Sequence, residues 1–329
     1  SGGALAVENA LKVAFDWKVR KNFKKGYVNE RGHKVIHFRE AFHGRTGYTL
    51  SLTNTHDLRK IKYFPKFDWP RIDNPKIEFP LNGENLEKVK KAEKKSIKQI
   101  YRAIDDNPDD IAAIIIEPIQ GEGGDNHFRN EFFVELRRIA DEHEIMLIMD
   151  EVQTGVGLTG KMWAYQHFDF VPDIIAFGKK TQVCGIICNN RVEAIDNNVF
   201  QESNRLNSTW GGNLVDMVRF SRYLEIIDEE NLVENARVQG EYLLEKLNCM
   251  GGELNGKIKN IRGRGLMAAF DVSSSEERDK IRSKIYENGV AILGCGQKTI
   301  RFRPPLNINR NEIDEGLEII SKTLREFYH

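Results

Sequence analysis

Apolar positions along this chain fall into two alternating patterns, one with helical spacing and one in short unbroken runs. From Ala4 to about Arg20, the residues Leu5, Leu11, Ala14, Phe15 and Val19 lie near one face of a helix. Val35–Phe38, Ile111–Ile116, Ile145–Asp150 and Asp173–Phe177 read as strands, with Gly185–Cys188 a further candidate. Continuous apolar runs of strand length suit a sheet covered on both faces. A charged helix from Leu86 to about Ile104 and another from Asn130 to about His143 separate them. Strands alternating with amphipathic helices predict an α/β layer with a mainly parallel sheet. After about Gly212 the pattern changes. Helices are expected at Leu214–Ile227, Glu234–Leu247 and Glu276–Glu287, and strands at Gly265–Val272, near Val290–Leu293 and at Thr299–Phe302. A closing helix runs from Asn311 to about Phe327, with Asn309 as its N-cap and Glu312 three residues on. The expected division is a large domain over 1–213, then linking helices and a smaller α+β domain over 214–329.

The length of 329 residues favours two domains, and 40% hydrophobic residues supply a sizeable core. Lys plus Arg equals Asp plus Glu at 49 each, with no basic patch, which argues against nucleic acid as a partner. The apolar runs are too short to span a bilayer. Four cysteines (Cys184, Cys188, Cys249 and Cys295) in so long a chain do not form a disulfide framework, and the usage reads as cytoplasmic. Cys184 and Cys188 have no second Cys or His pair at ligand spacing, so they read as apolar thiols and no metal is expected.

Two strand ends carry the chemistry. Asp150-Glu151-Val152-Gln153-Thr154-Gly155 follows one buried run, and Gly178-Lys179 follows the next. Ligands of open α/β sheets gather at such strand ends. An acid at one end and a lysine at the next is the pair that pyridoxal 5′-phosphate (PLP) requires. The lysine amine condenses with the cofactor aldehyde, and the acid keeps the pyridine nitrogen protonated. Ser1-Gly2-Gly3 directly before the first helix is a weak phosphate signal on its own, because such a cradle normally follows a strand.

With these segments in view, the chain resembles the class III, or ω, PLP aminotransferases of fold type I, and among them the lysine 6-aminotransferases. Phe42-His43-Gly44-Arg45, Glu117–Gly124, Asp150–Gly155, Gly178–Gln182, Asn207–Asn213 and Arg301–Pro305 carry the resemblance, which runs through most of the chain. It implies that Lys179 binds PLP and acts as general base, with its neighbour Lys180 facing elsewhere. Asp150 would pair with the pyridine nitrogen and Gln153 with the phenolic oxygen. Val152 and Phe42 would pack on the two ring faces. Backbone N–H groups of Gly3 and Ala4 would bind the phosphate, and Thr209 would reach it from the partner subunit of a homodimer.

The same resemblance implies the substrates. Arg45 would bind the carboxylate far from the reacting carbon, and Arg301 the α-carboxylate of 2-oxoglutarate. Glu122 would pair with Arg301 while L-lysine occupies the site and move aside afterwards. Asn207 would touch substrate, and His43 would orient its loop. Arg303, two residues past Arg301, is expected to face the other way and be structural. The implied reaction moves the ε-amino group of L-lysine to 2-oxoglutarate. Its products are glutamate and 2-aminoadipate 6-semialdehyde, which cyclises to piperideine-6-carboxylate. Ornithine or 4-aminobutyrate as donor and a catalytically silent fragment are the alternatives. Family members carry roughly a domain's worth of chain before the phosphate turn, and here that turn begins at residue 2, so the front of the family's chain is expected to be absent.

Overall fold

A computed structural model describes residues 2–328. The elements run α1 (Gly3–Lys24), β1 (Lys34–Phe38), α2 (Gly47–Leu52), β2 (Arg71–Ile72), α3 (Gly83–Asp105), β3 (Ile111–Ile116), β4 (Ile119–Gln120), α4 (Gly121–Gly124), β5 (Asn126–His127), α5 (Asn130–Glu142), β6 (Met146–Asp150), β7 (Ile174–Phe177) and β8 (Gly185–Cys188). They continue as α6 (Leu214–Glu229), α7 (Leu232–Glu253), β9 (Lys259–Arg264), β10 (Met267–Asp271), α8 (Ser275–Glu287), β11 (Leu293–Cys295), β12 (Thr299–Phe302) and α9 (Arg310–Tyr328).

Six strands form one sheet in the order β2-β1-β3-β6-β7-β8. The pairs from β2 to β7 are parallel, and β8 joins antiparallel to β7. The unbroken apolar runs are explained by two cores. Ala113, Ile115, Met146 and Ile148 face α1, together with Ala10, Ala14 and Trp17. Ile114, Ile116, Leu147 and Met149 face the other way, onto Ile100 of α3 and Phe132, Phe133 and Leu136 of α5. Successive side chains of a strand point to opposite faces, so a sheet covered twice needs an apolar residue at every position.

The second sheet has the order β11-β12-β10-β9 and is antiparallel throughout. α7, α8 and α9 cover it with Leu243, Leu247, Ile281, Ile285, Leu317 and Ile320. A smaller cluster of Leu158, Ala236, Leu266 and Met267 joins it to the loops of the first sheet. The expected cap of α9 is present: Glu312 N–H donates to Asn309 Oδ1 at 3.1 Å, and Asn309 N–H to Glu312 Oε2 at 2.9 Å.

Several elements were not expected from sequence, among them the short β2, β4, α4 and β5. β9 lies where no element was assigned, because Lys-Asn-Ile-Arg-Gly-Arg has no apolar alternation and its backbone pairing with β10 holds it. β11 begins at Leu293, where Val290–Leu293 had been expected. α2 was not expected either. Its Thr46 N-cap exchanges hydrogen bonds with Thr49, a local signal too short to show as periodicity.

Candidate active site

Registration of β6 against β7 sets Asp150 opposite Ala176, so Asp150 and Lys179 emerge at the same sheet edge. A cavity of about 630 Å³ opens there. Gly3, Ala4, Phe42, Arg45, Asp150, Val152, Gln153 and Lys179 all line it. Eight residues expected at one site from separate motifs thus share one wall system. A larger cavity of about 810 Å³, between Glu40 and Arg262, contains none of the expected residues, and its size gives it no claim on the chemistry.

Lys179 follows β7 with φ 56, in the left-handed region that a residue with a Cβ rarely adopts. Backbone strain of this kind collects at functional sites. Gly3 opens α1 against Val152: a Cβ there would lie 2.6 Å from Val152 Cγ1, so only glycine fits. Gly44, at φ 127, brings the Phe42–Arg45 turn onto the same helix end, where an added Cβ would meet the Ala4 Cβ at 2.6 Å. No side chain caps α1. The first-turn N–H groups of a helix have no intrahelical acceptor, and this uncapped end opens on the cavity.

Asp150 is buried, and its two oxygens are engaged. Oδ2 lies 2.8 Å from His43 Nδ1, and Oδ1 accepts from the Val152 N–H at 3.0 Å. Burial opposes a charge on His43, but the hydrogen bond and charge of Asp150 outweigh it and hold the ring above its ordinary pKa. His43 therefore orients the site's acid, a role beyond the loop contact expected from sequence. Its other nitrogen, Nε2, is buried without a partner. Glu117 accepts from the Phe42 N–H at 2.9 Å and the Gly121 N–H at 3.1 Å. Burial pushes its carboxyl up to about 7.

Gln153 and the two arginines of β12 and its end meet nearby. Gln153 Oε1 accepts from Arg303 Nη2 at 2.9 Å and from Arg301 Nη1 at 3.4 Å. Arg303 also donates from Nη1 to Asp125 Oδ2 at 2.9 Å, and Asp125 is fully buried. Arg303 thus holds Gln153 and neutralises Asp125. It shares Gln153 with Arg301, which corrects the expectation that it faces away, since residues two apart along an extended chain point to the same side. Removing one partner of a buried ion pair strands the other. Arg303→Ala is expected to cost about 3–5 kcal/mol of stability, measured by denaturant unfolding; a loss below about 1 kcal/mol would show that Asp125 finds another partner.

Glu122, expected to pair with Arg301 while L-lysine is bound and to move aside afterwards, is turned away from Arg301 here. Glu122 Oε1 instead accepts from Lys60 Nζ at 2.8 Å and Thr55 Oγ1 at 2.7 Å. Residues 53–60 form a loop and a short turn with no periodic signal, so nothing in their pattern marks Lys60. Lys180 does not line this cavity. Its amine donates to the Gln153 carbonyl at 2.8 Å, and burial, then the charges of Lys179 and Arg303, push it down to about 7. Thr209 and Asn207 lie on an exposed loop and do not line this cavity.

The residues fit a phosphorylated aromatic aldehyde. An uncapped helix end meets the phosphate requirement, Val152 and Phe42 provide two apolar walls, and a lysine and a buried acid border the same space. Among the described residues no group of acidic, His or Cys side chains could hold a metal, and no helix is long and apolar enough to cross a membrane.

Comparison with known proteins places this geometry in context. The family model for class-III aminotransferases matches residues 1–324. The L-lysine-epsilon aminotransferase of Mycobacterium tuberculosis is 49% identical over 323 residues, covering 98% of this chain and 71% of that protein. The protein of the same name from Amycolatopsis lactamdurans is 46% identical, with the same two coverages. A 4-aminobutyrate aminotransferase of Dictyostelium discoideum is less similar, at 36% identity over 89% of this chain and 58% of its own length. The solved lysine aminotransferase from M. tuberculosis superposes with a TM-score of 0.96 at 49% identity, covering 99% of this chain and 74% of that one.

Proposed function

This chain belongs to the class-III aminotransferase family, and on that premise we propose that it transfers the ε-amino group of L-lysine to 2-oxoglutarate with PLP as cofactor. The products would be glutamate and 2-aminoadipate 6-semialdehyde, which cyclises to piperideine-6-carboxylate. One observation carries the reading: Lys179, Asp150 and Arg45 line a single cavity in a chain nearly half identical to enzymes named for lysine ε-amino transfer. The 36% identity to a 4-aminobutyrate enzyme makes that donor, like ornithine, the weaker reading.

When bound, PLP supplies an aldehyde that accepts an amine and a ring that accepts the electrons released at the substrate carbon. The protein supplies the rest. Lys179 Nζ would hold the cofactor and, when free, would be the base that takes a proton from the substrate ε-carbon. Asp150, fixed by His43 and the Val152 N–H, presents a negative charge for the ring nitrogen. Gln153, with Oε1 already engaged by the arginines, keeps its Nε2 donor for the ring oxygen. Gly3 and Ala4 present the helix end to the phosphate.

Substrate choice falls to the arginines. A guanidinium pairs with a carboxylate through two parallel hydrogen bonds. Arg45, exposed at the cavity, would bind the remote carboxylate of either substrate. Arg301 would bind the second carboxylate, which only the acceptor has. Arg45→Ala should raise KM for both substrates by about tenfold or more. Arg301→Ala should raise KM for 2-oxoglutarate by about 100-fold and that for lysine far less. Half-reaction kinetics distinguish these outcomes, and an Arg301→Ala defect confined to the lysine half would contradict the assignment.

Thr209 and Asn207 fit a site completed by a second copy. Their exposed loop leads into Trp210, Leu214, Val215 and Val218, each more than two-thirds exposed. An apolar surface of that kind favours association, and a homodimer would cover it while bringing Thr209 to the partner's phosphate site.

A further inference from the structure

Glu122 and Arg301 each carry a buried polar atom with no partner. For Glu122 it is Oε2, and for Arg301 it is Nε. The two groups are near each other in the fold, since Arg301 Nη1 donates at 3.1 Å to the carbonyl of Gly121, the residue before Glu122. An unmade bond to a buried charged group is costly, so a bare acceptor oxygen on Glu122 and a bare donor nitrogen on Arg301, in neighbouring parts of the fold, suit a contact that is withheld in this state. What withholds it is visible. Lys60 Nζ and Thr55 Oγ1 both bond the other oxygen of Glu122. Thr55 is buried, which fixes its hydroxyl. Lys60 stands 5.7 Å over the Phe42 ring and lines the active-site cavity.

We propose that Lys60 and Thr55 form a docking cradle for the Glu122 carboxylate, and that this cradle selects between the two substrates. With Glu122 in the cradle, the Arg301 guanidinium is open to the second carboxylate of a dicarboxylic acceptor. With Glu122 released, it neutralises Arg301 and the site suits an amine bearing one carboxylate. Lys60 is thus a positioning residue, acting on substrate through Glu122. The Lys60–Glu122 pair is partly solvated, with side chains 33% and 21% exposed. Such pairs hold weakly, which lets Arg301 compete for the carboxylate. The inference rests on the two-carboxylate reading of the acceptor and on Glu122 as the group that alternates at Arg301, and adds the residues that hold Glu122 away from it.

Calorimetric titration of the cofactor-loaded dimer with glutarate, which has two carboxylates, and hexanoate, which has one, tests it. Lys60→Met should weaken glutarate about tenfold and hexanoate no more than about twofold. Lys60→Arg should restore glutarate binding. In a Glu122→Gln background, where the competing charge is gone, Lys60→Met should lose its effect. Equal weakening of both ligands, or a glutarate defect that persists in Glu122→Gln, would mean that Lys60 merely attracts anions, and would overturn the cradle alone. If glutarate binds the parent protein no more tightly than hexanoate, the two-arginine reading itself fails and the cradle with it. In turnover, the same Lys60→Met variant should raise KM for 2-oxoglutarate about tenfold relative to that for lysine.

Discussion

Lys179→Ala is expected to lower turnover by about 10⁴-fold, the upper range for loss of a general base, with the covalent hold on the cofactor lost as well. Two functions disappear with one amine. Borohydride reduction followed by mass spectrometry should find the cofactor fixed to Lys179 in the parent and to no residue in the variant. Lys180 provides a demanding control. It is the next residue in the chain, and burial pushes its amine down to about 7, so part of it is unprotonated near neutral pH. Yet it is bonded to the Gln153 carbonyl, and breaking that bond is required before it can substitute. Cofactor fixed to Lys180 in the parent, or full activity in Lys179→Ala, would move the assignment by one residue.

Asp150→Asn is expected to reduce kcat by about 10²–10³-fold, the scale on which loss of one preorganised electrostatic partner is felt. The amide keeps the shape but removes the charge that would face the ring nitrogen. It also strips His43 of the carboxylate that raises its pKa. The sign of the pH effect follows. A histidine whose folded pKa is raised contributes stability below its unfolded value of about 6.5. That contribution fades as pH rises through the folded value. The stability difference between parent and Asp150→Asn should therefore be largest below about pH 6.5 and shrink at higher pH. A difference that grows with pH would show that His43 is neutral in the folded protein.

The most legible parts of the fold were those where one residue type answers to one environment. Ile111–Ile116 could only be a strand buried on both faces, and it is buried at all six positions. Asp150 and Lys179 were legible as strand-end residues because each terminates an apolar run. That β8 runs antiparallel was not legible, since an apolar run has no direction. β9 escaped because its pairing is made by backbone and its side chains do not alternate. At the site, the weak Ser1-Gly2-Gly3 signal gained meaning only when Gly3 was found against Val152. The partners of the charged groups were the least legible. His43 and Asp150 are 107 positions apart and Lys60 and Glu122 are 62 apart. Nothing local marks such pairs. Resemblance supplied Arg301 for Glu122, and the structure supplies Lys60.

The central claim concerns which nitrogen moves. L-Lysine labelled with ¹⁵N at the ε-position, incubated with the protein, PLP and 2-oxoglutarate, should give glutamate that carries the label, while lysine labelled at the α-position gives unlabelled glutamate. Label reaching glutamate from the α-position, or from neither, would contradict the account.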